Sequence, residues 1–205
     1  MARPRRSDIT RETLLEHGIQ LLSAHGYHGT GLKRILDAVN VPKGSFYNYF
    51  NSKEAFAAEI ITRYIDDLLH LFDAYVENTD DDPLTIIRNV YQVMMDKFEL
   101  QGCRQGCLIG NLAAEIGGNS ARCQAAMQRA FNEWRERFVR LLERAQVEGS
   151  VRADIGAGQL ADLFWNAWEG GILRMKLEGS TAPLKQMIDL LLDVMFKPAP
   201  HTDEQ

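Results

Sequence analysis

The chain has 205 residues, 45% of them hydrophobic, and carries a formal net charge of −5 at pH 7. This length is long for one domain and short for two large ones, so a small domain joined to a larger one is expected. No apolar run reaches the roughly 18 residues that cross a membrane, and the start MARPRRSD lacks the apolar centre of a signal peptide, so a soluble, cytoplasmic protein without membrane contact is expected.

Charge is distributed unevenly along the chain. Residues 1–54 contain eight lysines and arginines against five acidic residues, whereas the remainder contains 15 against 23. A basic segment on an acidic body is typical of a nucleic-acid contact module. The three cysteines, an odd number without a secretory signal, favour thiols over a disulfide framework.

A basic arm and three helices are predicted at the start of the chain. Arg5 and Arg6, in ARPRR, could enter a minor groove, where negative potential attracts arginine; a solubilising tail is the alternative. Apolar spacing indicates a helix over residues 8–24 and a short second helix after Thr30, a candidate N-cap. A third helix begins at Pro42. Two short helices separated by a tight turn form the layout of a helix-turn-helix, although many helical hairpins look similar.

The segment Val41–Lys53, VPKGSFYNYFNSK, opens the third helix with proline, lysine, glycine and serine. The first N–H groups of a helix are unpaired and carry partial positive charge, so this helix start suits a phosphate. Phe46 and Phe50 lie four residues apart and are expected to face a core. The outward face is then left to Tyr47, Asn48 and Tyr49.

The rest of the chain predicts further helices and no strand. A long helix capped by Ser52 is expected over residues 53–74, and an acidic linker follows at residues 77–83, where Asp82 or Thr85 can cap the next helix. Periodic apolar residues predict the remaining helices after Cys107 and over residues 119–147, 155–177 and 183–196. The tail HTDEQ is expected to be disordered.

Cys107 is the first candidate for chemistry. It precedes an apolar helical pattern, and a position near a helix start would lower its pKa and favour the thiolate; a small buried residue is the alternative. Cys103 and Cys107 alone have poor zinc spacing, so no metal site is expected. No histidine forms a recognisable catalytic signature with Cys107, so a cysteine-dependent enzyme is the weaker possibility. No catalytic residue is assigned.

The helix predicted over residues 155–177 is apolar on more than one face. It is therefore expected to pack both on its own domain and on a second copy of the chain. Trp165, Glu169 and Lys176 share one side of this helix at i, i+4 and i+11. Charged side chains among aromatic ones indicate an interface salt bridge or a lysine whose ammonium group extends to solvent, because burying a charge requires a partner.

The run Gly26–Phe56, which includes GSFYNYFNSK, resembles the DNA-binding domain of the TetR family of bacterial repressors. The resemblance implies that three residues lie nearest the base edges of DNA: Lys43, Gly44 and Ser45. It also implies that Tyr47 and Lys53 contact DNA phosphates and that Thr30 and Lys33 contact the DNA backbone. Two further residues of the pattern fall at the same interface, Asn48 and Tyr49, the second at a position where the family usually has histidine.

The same resemblance implies an all-α fold with two domains. Residues 1–53 would form a three-helix helix-turn-helix domain, the helix over 53–74 would link it, and residues 75–198 would form a helical ligand-binding and dimerisation domain. The implied partners are double-stranded operator DNA, a small-molecule inducer and a second copy of the chain, bound through the last two helices. No cofactor and no enzymatic activity are implied.

Two further strings, GCLIGNLAAEIG and FWNAWEGGILRMKLE, resemble a branch of this family that responds to acrylate or to electrophiles. This likeness implies that Cys107 and Lys176 sense a reactive small molecule, with Trp165 and Glu169 beside the lysine. The expected function is a repressor that an unsaturated carboxylate or an electrophile releases from its operator. A cysteine-based redox switch without a bound ligand is the alternative.

Overall fold

The computed structural model describes the backbone of residues 6–198 and the side chains of residues 10–198. Within that range the chain forms nine α-helices and no β-strand, which confirms the all-α prediction. The helices are α1 Arg6–His25, α2 Leu32–Ala38, α3 Lys43–Phe46, α4 Lys53–Glu77, α5 Pro83–Leu100, α6 Leu108–Ile116, α7 Ala121–Val147, α8 Ala157–Glu178 and α9 Ala182–Leu190, which continues as a π-helical turn, Leu191–Met195.

Local capping explains where several helices begin. Asp82 caps α5, because its carboxylate accepts the N–H groups of Leu84 and Thr85 at 3.0 and 3.1 Å. A hydrogen bond from the Thr85 hydroxyl is the main cause that lowers the pKa of Asp82. The prediction that Thr30 caps α2 is wrong. Gly31 occupies that position, and the Thr30 hydroxyl instead donates to the carbonyl oxygen of Leu21 at 3.2 Å.

The described chain divides into two compact units that interleave in sequence. The first unit comprises the described residues up to Leu68 together with Gly106–Phe131, and the second comprises Leu69–Gln105 together with the described residues from Asn132 onward. The first unit therefore contains α6 and the start of α7, which the sequence grouped with the ligand-binding half. The predicted functional division at residues 53–75 stays a prediction.

Aromatic and aliphatic side chains fill the core of the first unit. The rings of Phe46, Phe50 and Phe56 contact one another with centroids 4.7–5.5 Å apart. Gly18 brings α1 close to α4, since a Cβ atom at Gly18 would lie 2.4 Å from the Cδ1 atom of Ile60. This core fixes α3 against α4 through the phenylalanines of α3 and of the turn that follows it.

The core of the second unit is built around Tyr91 of α5. Its ring contacts those of Phe164 and Trp168 on α8, with centroids 4.8 and 4.6 Å apart. The indole N–H of Trp134 on α7 donates to the Tyr91 oxygen at 3.0 Å. A buried phenol needs such a partner, so this bond specifies how α5, α7 and α8 pack together.

Candidate functional site

The start of α3 carries the candidate DNA contacts. Phe46 is fully buried and anchors the helix, so the residues on its other side face solvent. Lys43, Gly44 and Asn48 are exposed, and Tyr47 is 55% exposed. No atom lies within 4 Å of the position of a Cβ atom at Gly44, so this part of the backbone borders open space. The structure thus groups four of the predicted contacts on one exposed surface.

The helix at this surface is shorter than the sequence pattern suggested. Pro42 precedes α3 as its N-cap residue, and its carbonyl oxygen accepts the N–H of Ser45 at 2.9 Å. Beyond Phe46 the chain continues in turns, with the N–H of Tyr49 donating to the Phe46 carbonyl at 2.9 Å. Ser45 and Tyr49 are half-buried and line a cleft together with Thr10 and Thr13 of α1.

The remaining predicted DNA contacts have different surroundings. Lys33 is exposed on α2. Thr30 is 0% exposed, so its side chain is unavailable as a surface contact, which corrects the prediction for that residue. Arg5 lies outside the described residues, as does the side chain of Arg6. A threonine beside two glycines has the composition of a helix cap, but its hydroxyl is already bonded within the protein.

Lys53 is held by the turn between α1 and α2. Its ammonium group donates to the Tyr27 carbonyl oxygen at 2.6 Å and lies 4.0 Å from the centroid of the Tyr27 ring. Burial lowers the pKa of Lys53, and the nearby carboxylate of Glu115 opposes that shift. An ammonium group has three donors, so the bond to Tyr27 leaves capacity for an anion.

Glu115, at the end of α6, contacts that same turn. Its carboxylate accepts the backbone N–H of His28 at 2.9 Å. Gly26 has a φ of +70°, and a Cβ atom there would lie 1.8 Å from a carboxylate oxygen of Glu115. The close approach of α6 therefore requires glycine at this turn. Asn111, one turn earlier on α6, donates to the Ser23 carbonyl at 3.4 Å.

A second contact joins the starts of α4 and α7. The Ser120 hydroxyl donates to the carboxylate of Glu54 and accepts the N–H of Cys123 at 3.1 Å. The Cys123 thiol donates to the Glu54 carbonyl oxygen at 3.6 Å, and burial raises the pKa of that thiol. Sequence reasoning assigned Cys123 no role. The only sequence signal was Ser120, three residues before Cys123. A serine there indicates a helix cap and does not indicate a contact with the distant Glu54 carboxylate.

The candidate sensing residues fall in both units. Cys107 is the N-cap residue of α6, near a helix start as predicted. It is buried, forms no disulfide and belongs to the first unit. Trp165, Glu169 and Lys176 are half-buried on α8 in the second unit. The Trp165 ring contacts that of Trp134 with centroids 4.8 Å apart, and one carboxylate oxygen of Glu169 is buried. Tyr91 and Trp134 were not singled out from the sequence.

No three histidine, cysteine or acidic side chains of residues 10–198 lie close enough together to hold a metal ion. Among the described helices, none combines the length and the apolar character that crossing a membrane requires.

Known proteins resemble both halves of the chain. Residues 14–60 match the family described as "Bacterial regulatory proteins, tetR family", and residues 83–191 match "Tetracyclin repressor-like, C-terminal domain". The HTH-type transcriptional repressor DhaR of Mycobacterium sp. (strain GP1) is 33% identical over 186 residues, which is 91% of this chain and 92% of that protein.

Two further relatives cover most of the chain. The transcriptional regulator AcuR of Cereibacter sphaeroides is 35% identical over 178 residues, which is 87% of this chain and 81% of that protein. The crystal structure of the reduced form of NemR from Escherichia coli matches with a TM-score of 0.82 at 29% identity, over 91% of this chain and 96% of that one.

Proposed function

This chain belongs to the TetR family of bacterial regulatory proteins, and on that basis we propose that it is a transcriptional repressor that a small molecule releases from operator DNA. The exposed start of α3 is the observation that carries the proposal. Lys43, Gly44 and Asn48 are exposed to solvent there, while the buried side chain of Phe46 anchors the opposite side of the helix in the core. The protein is a regulator and not an enzyme.

The proposed DNA contacts divide by what they recognise. Lys43, Gly44 and Ser45 lie nearest the base edges, which specify sequence, whereas phosphate contacts position the protein. The phosphate contacts come from Tyr47, Tyr49, Asn48, Lys33 and Lys53, with Arg5 and Arg6 in the adjoining groove. Glycine and serine offer few base-reading groups, so one copy discriminates sequence poorly and two copies are required.

The second copy is proposed to bind through α8 and α9. Apolar side chains remain exposed on both helices, with Leu173 63%, Leu177 86% and Leu190 53% exposed. Exposed apolar residues clustered on neighbouring helices are typical of a subunit interface. The dimer would place two α3 helices at half-sites about 34 Å apart, one turn of DNA.

The inducer is proposed to be an unsaturated carboxylate or another electrophile. DhaR, AcuR and NemR are regulators related over most of this chain, and NemR has been crystallised in a form described as reduced. In a reversible mode, Lys176 would pair with a ligand carboxylate beside Trp165 and Glu169. In the alternative, covalent mode, Cys107 would add through sulfur to the β-carbon of an unsaturated ligand: a C–S bond forms, the C=C pair moves to the α-carbon, and that carbon takes up the thiol proton.

Release from DNA is proposed to pass through α6 and the start of α7. Glu115 contacts the α1–α2 turn and Ser120 contacts the start of α4, so a shift of these helices alters the support of α3. A ligand that favours the shifted state lowers DNA affinity by its differential affinity for the two states, typically 5- to 150-fold.

Fluorescence anisotropy with labelled duplex DNA tests this function. The native protein should bind a duplex selected from a random pool, and affinity should fall steeply with salt because phosphate contacts release counterions. Acrylate should then weaken binding, and Cys107→Ser should remove only the covalent part of the response. Absence of salt-sensitive binding to any selected duplex would disprove the repressor function.

A further inference from the structure

The exposed side of α8 carries a row of residues with heptad spacing. Leu163, Gly170 and Leu177 lie seven residues apart, and Asn166 and Leu173 fall three residues after the first two of them. All five are exposed, and together they are called the α8 seam below. Spacings of three and four residues place them on one helix face. Such a row is the pattern with which two helices pack along their length.

A shorter row with the same spacing follows on α9 and on the π-helical turn that continues it. Met187 is half-buried, whereas Leu190 and Val194 are 53% and 64% exposed. The two helices pack closely, since a Cβ atom at Gly171 of α8 would lie 2.7 Å from the Cδ2 atom of Leu184 on α9. Both rows therefore lie on neighbouring helices of the second unit.

Gly170, at the centre of the α8 seam, is not explained by packing within the described chain. Glycine inside a helix is destabilising relative to alanine, so its presence there calls for a reason. The adjacent Gly171 has one in its contact with Leu184. At Gly170, no atom of the described residues outside its own helix lies within 4 Å of a Cβ position, and its backbone is helical. An approach to the bare backbone from another chain would explain this glycine.

The surroundings of Gly170 indicate what approaches it. Leu163 and Leu177 lie on either side of it along the seam, two turns away in each direction, and Leu173 lies next to it. A gap between leucines on a helix surface is a hole that accepts a large apolar side chain of a facing helix. A second copy of the chain supplies such helices, because a two-fold contact uses the same surface on both copies.

We propose that Gly170 is the point of closest approach between the two copies of the dimer, where an apolar side chain of the second copy packs directly on the α8 backbone. Asn166 would weaken this contact, because its amide loses water on association. A polar residue in a seam limits the registers of packing at a cost in affinity. This inference rests on the proposed dimer through α8 and α9 and assigns Gly170 and Asn166 opposite effects on it.

Leucine introduced at each of the two positions tests the contact in the full-length protein. Gly170→Leu fills the hole and should raise the dissociation constant of the dimer about tenfold or more, since overpacking of a fitted contact is destabilising. Asn166→Leu replaces an amide by apolar surface and should lower that constant. Sedimentation velocity of fluorescently labelled protein over a dilution series measures both. Opposite changes caused by the same introduced residue would not arise from a general loss of structure.

Two further variants control for the introduced side chain. Ala125→Leu places a leucine at an exposed position of α7 in the first unit and should dimerise as the native protein does. Gly170→Ala should raise the dissociation constant less than Gly170→Leu, because a methyl group fills less of the hole. Alanine and leucine are both better helix formers than glycine, so circular dichroism should show folded protein in each case.

The results separate this contact from DNA binding. A dissociation constant for Gly170→Leu at or below the native value, or an equal rise for Ala125→Leu, would overturn the close approach at Gly170. An unchanged constant for Asn166→Leu would remove that residue from the contact. A native protein that stays monomeric at every concentration would overturn the contact together with the dimer. A native dimer that binds no duplex would instead remove the repressor function and leave the contact supported.

Discussion

Alanine in place of Gly26 should destabilise the protein through two separable effects. Gly26 has a φ of +70°, a conformation that costs an L-residue about 1–2 kcal/mol. The new Cβ atom would also lie 1.8 Å from the Glu115 carboxylate. That carboxylate ends a flexible side chain, so it would move away and lose the His28 N–H, which costs about 1–2 kcal/mol more. The expected total is about 2–4 kcal/mol.

Gly179→Ala is the matched control. Gly179 has a φ of +65°, but no atom lies within 4 Å of its Cβ position, so only the backbone cost of about 1–2 kcal/mol applies. Urea denaturation at one fixed protein concentration gives the free energy of unfolding for both variants. In a Glu115→Ala background, Gly26→Ala should cost no more than Gly179→Ala does. Equal losses for the two glycine variants in the native background would show that the Glu115 contact contributes nothing.

Three further outcomes concern the Ser120 hydroxyl, the Cys123 thiol and the exposed face of α8. Ser120→Ala removes the hydroxyl that binds both the Glu54 carboxylate and the Cys123 N–H, so it should lower the free energy of unfolding, measured in urea, by about 1–3 kcal/mol. The control Ser150→Ala removes a half-buried loop hydroxyl and should lower that free energy less. Burial raises the pKa of the Cys123 thiol, so the contribution of this thiol to stability is complete below the unfolded-state pKa of about 8.5 and is lost as pH rises toward the folded-state pKa. Urea titrations at increasing pH should therefore show a smaller alkaline loss of stability for Cys123→Ala than for the native protein. Leu173→Glu should convert the dimer to monomer in sedimentation velocity, and a variant that stays dimeric would exclude this face of α8 from the interface.

Helix positions could be predicted because they depend on local patterns. Apolar periodicity located the longer helices of the described chain to within a few residues, whereas α3 is shorter than its pattern suggested. The single residue Asp82 explains where α5 begins. The π-helical turn at Leu191–Met195 was not predicted, because the apolar spacing there fits an uninterrupted α-helix as well.

Contacts between distant residues could not be predicted in the same way. Glu54 and Ser120 are 66 positions apart, and neither residue type indicates a partner on its own. Thr30 has the composition of a cap, yet tertiary packing buries it against Leu21. The bond from Lys53 to Tyr27 likewise depends on how the α1–α2 turn folds back. Such outcomes are decided by tertiary structure, which local sequence does not specify.

The interleaving of the first unit also sets the order in which the protein can mature on the ribosome. Its two chain segments end at Leu68 and at Phe131, so the first unit lacks α6 and the start of α7 until roughly 60 more residues have been synthesised. At about 5–20 residues per second, this delay lasts roughly 3–12 s. During that interval the nascent chain exposes the surface of α1 that α6 later covers.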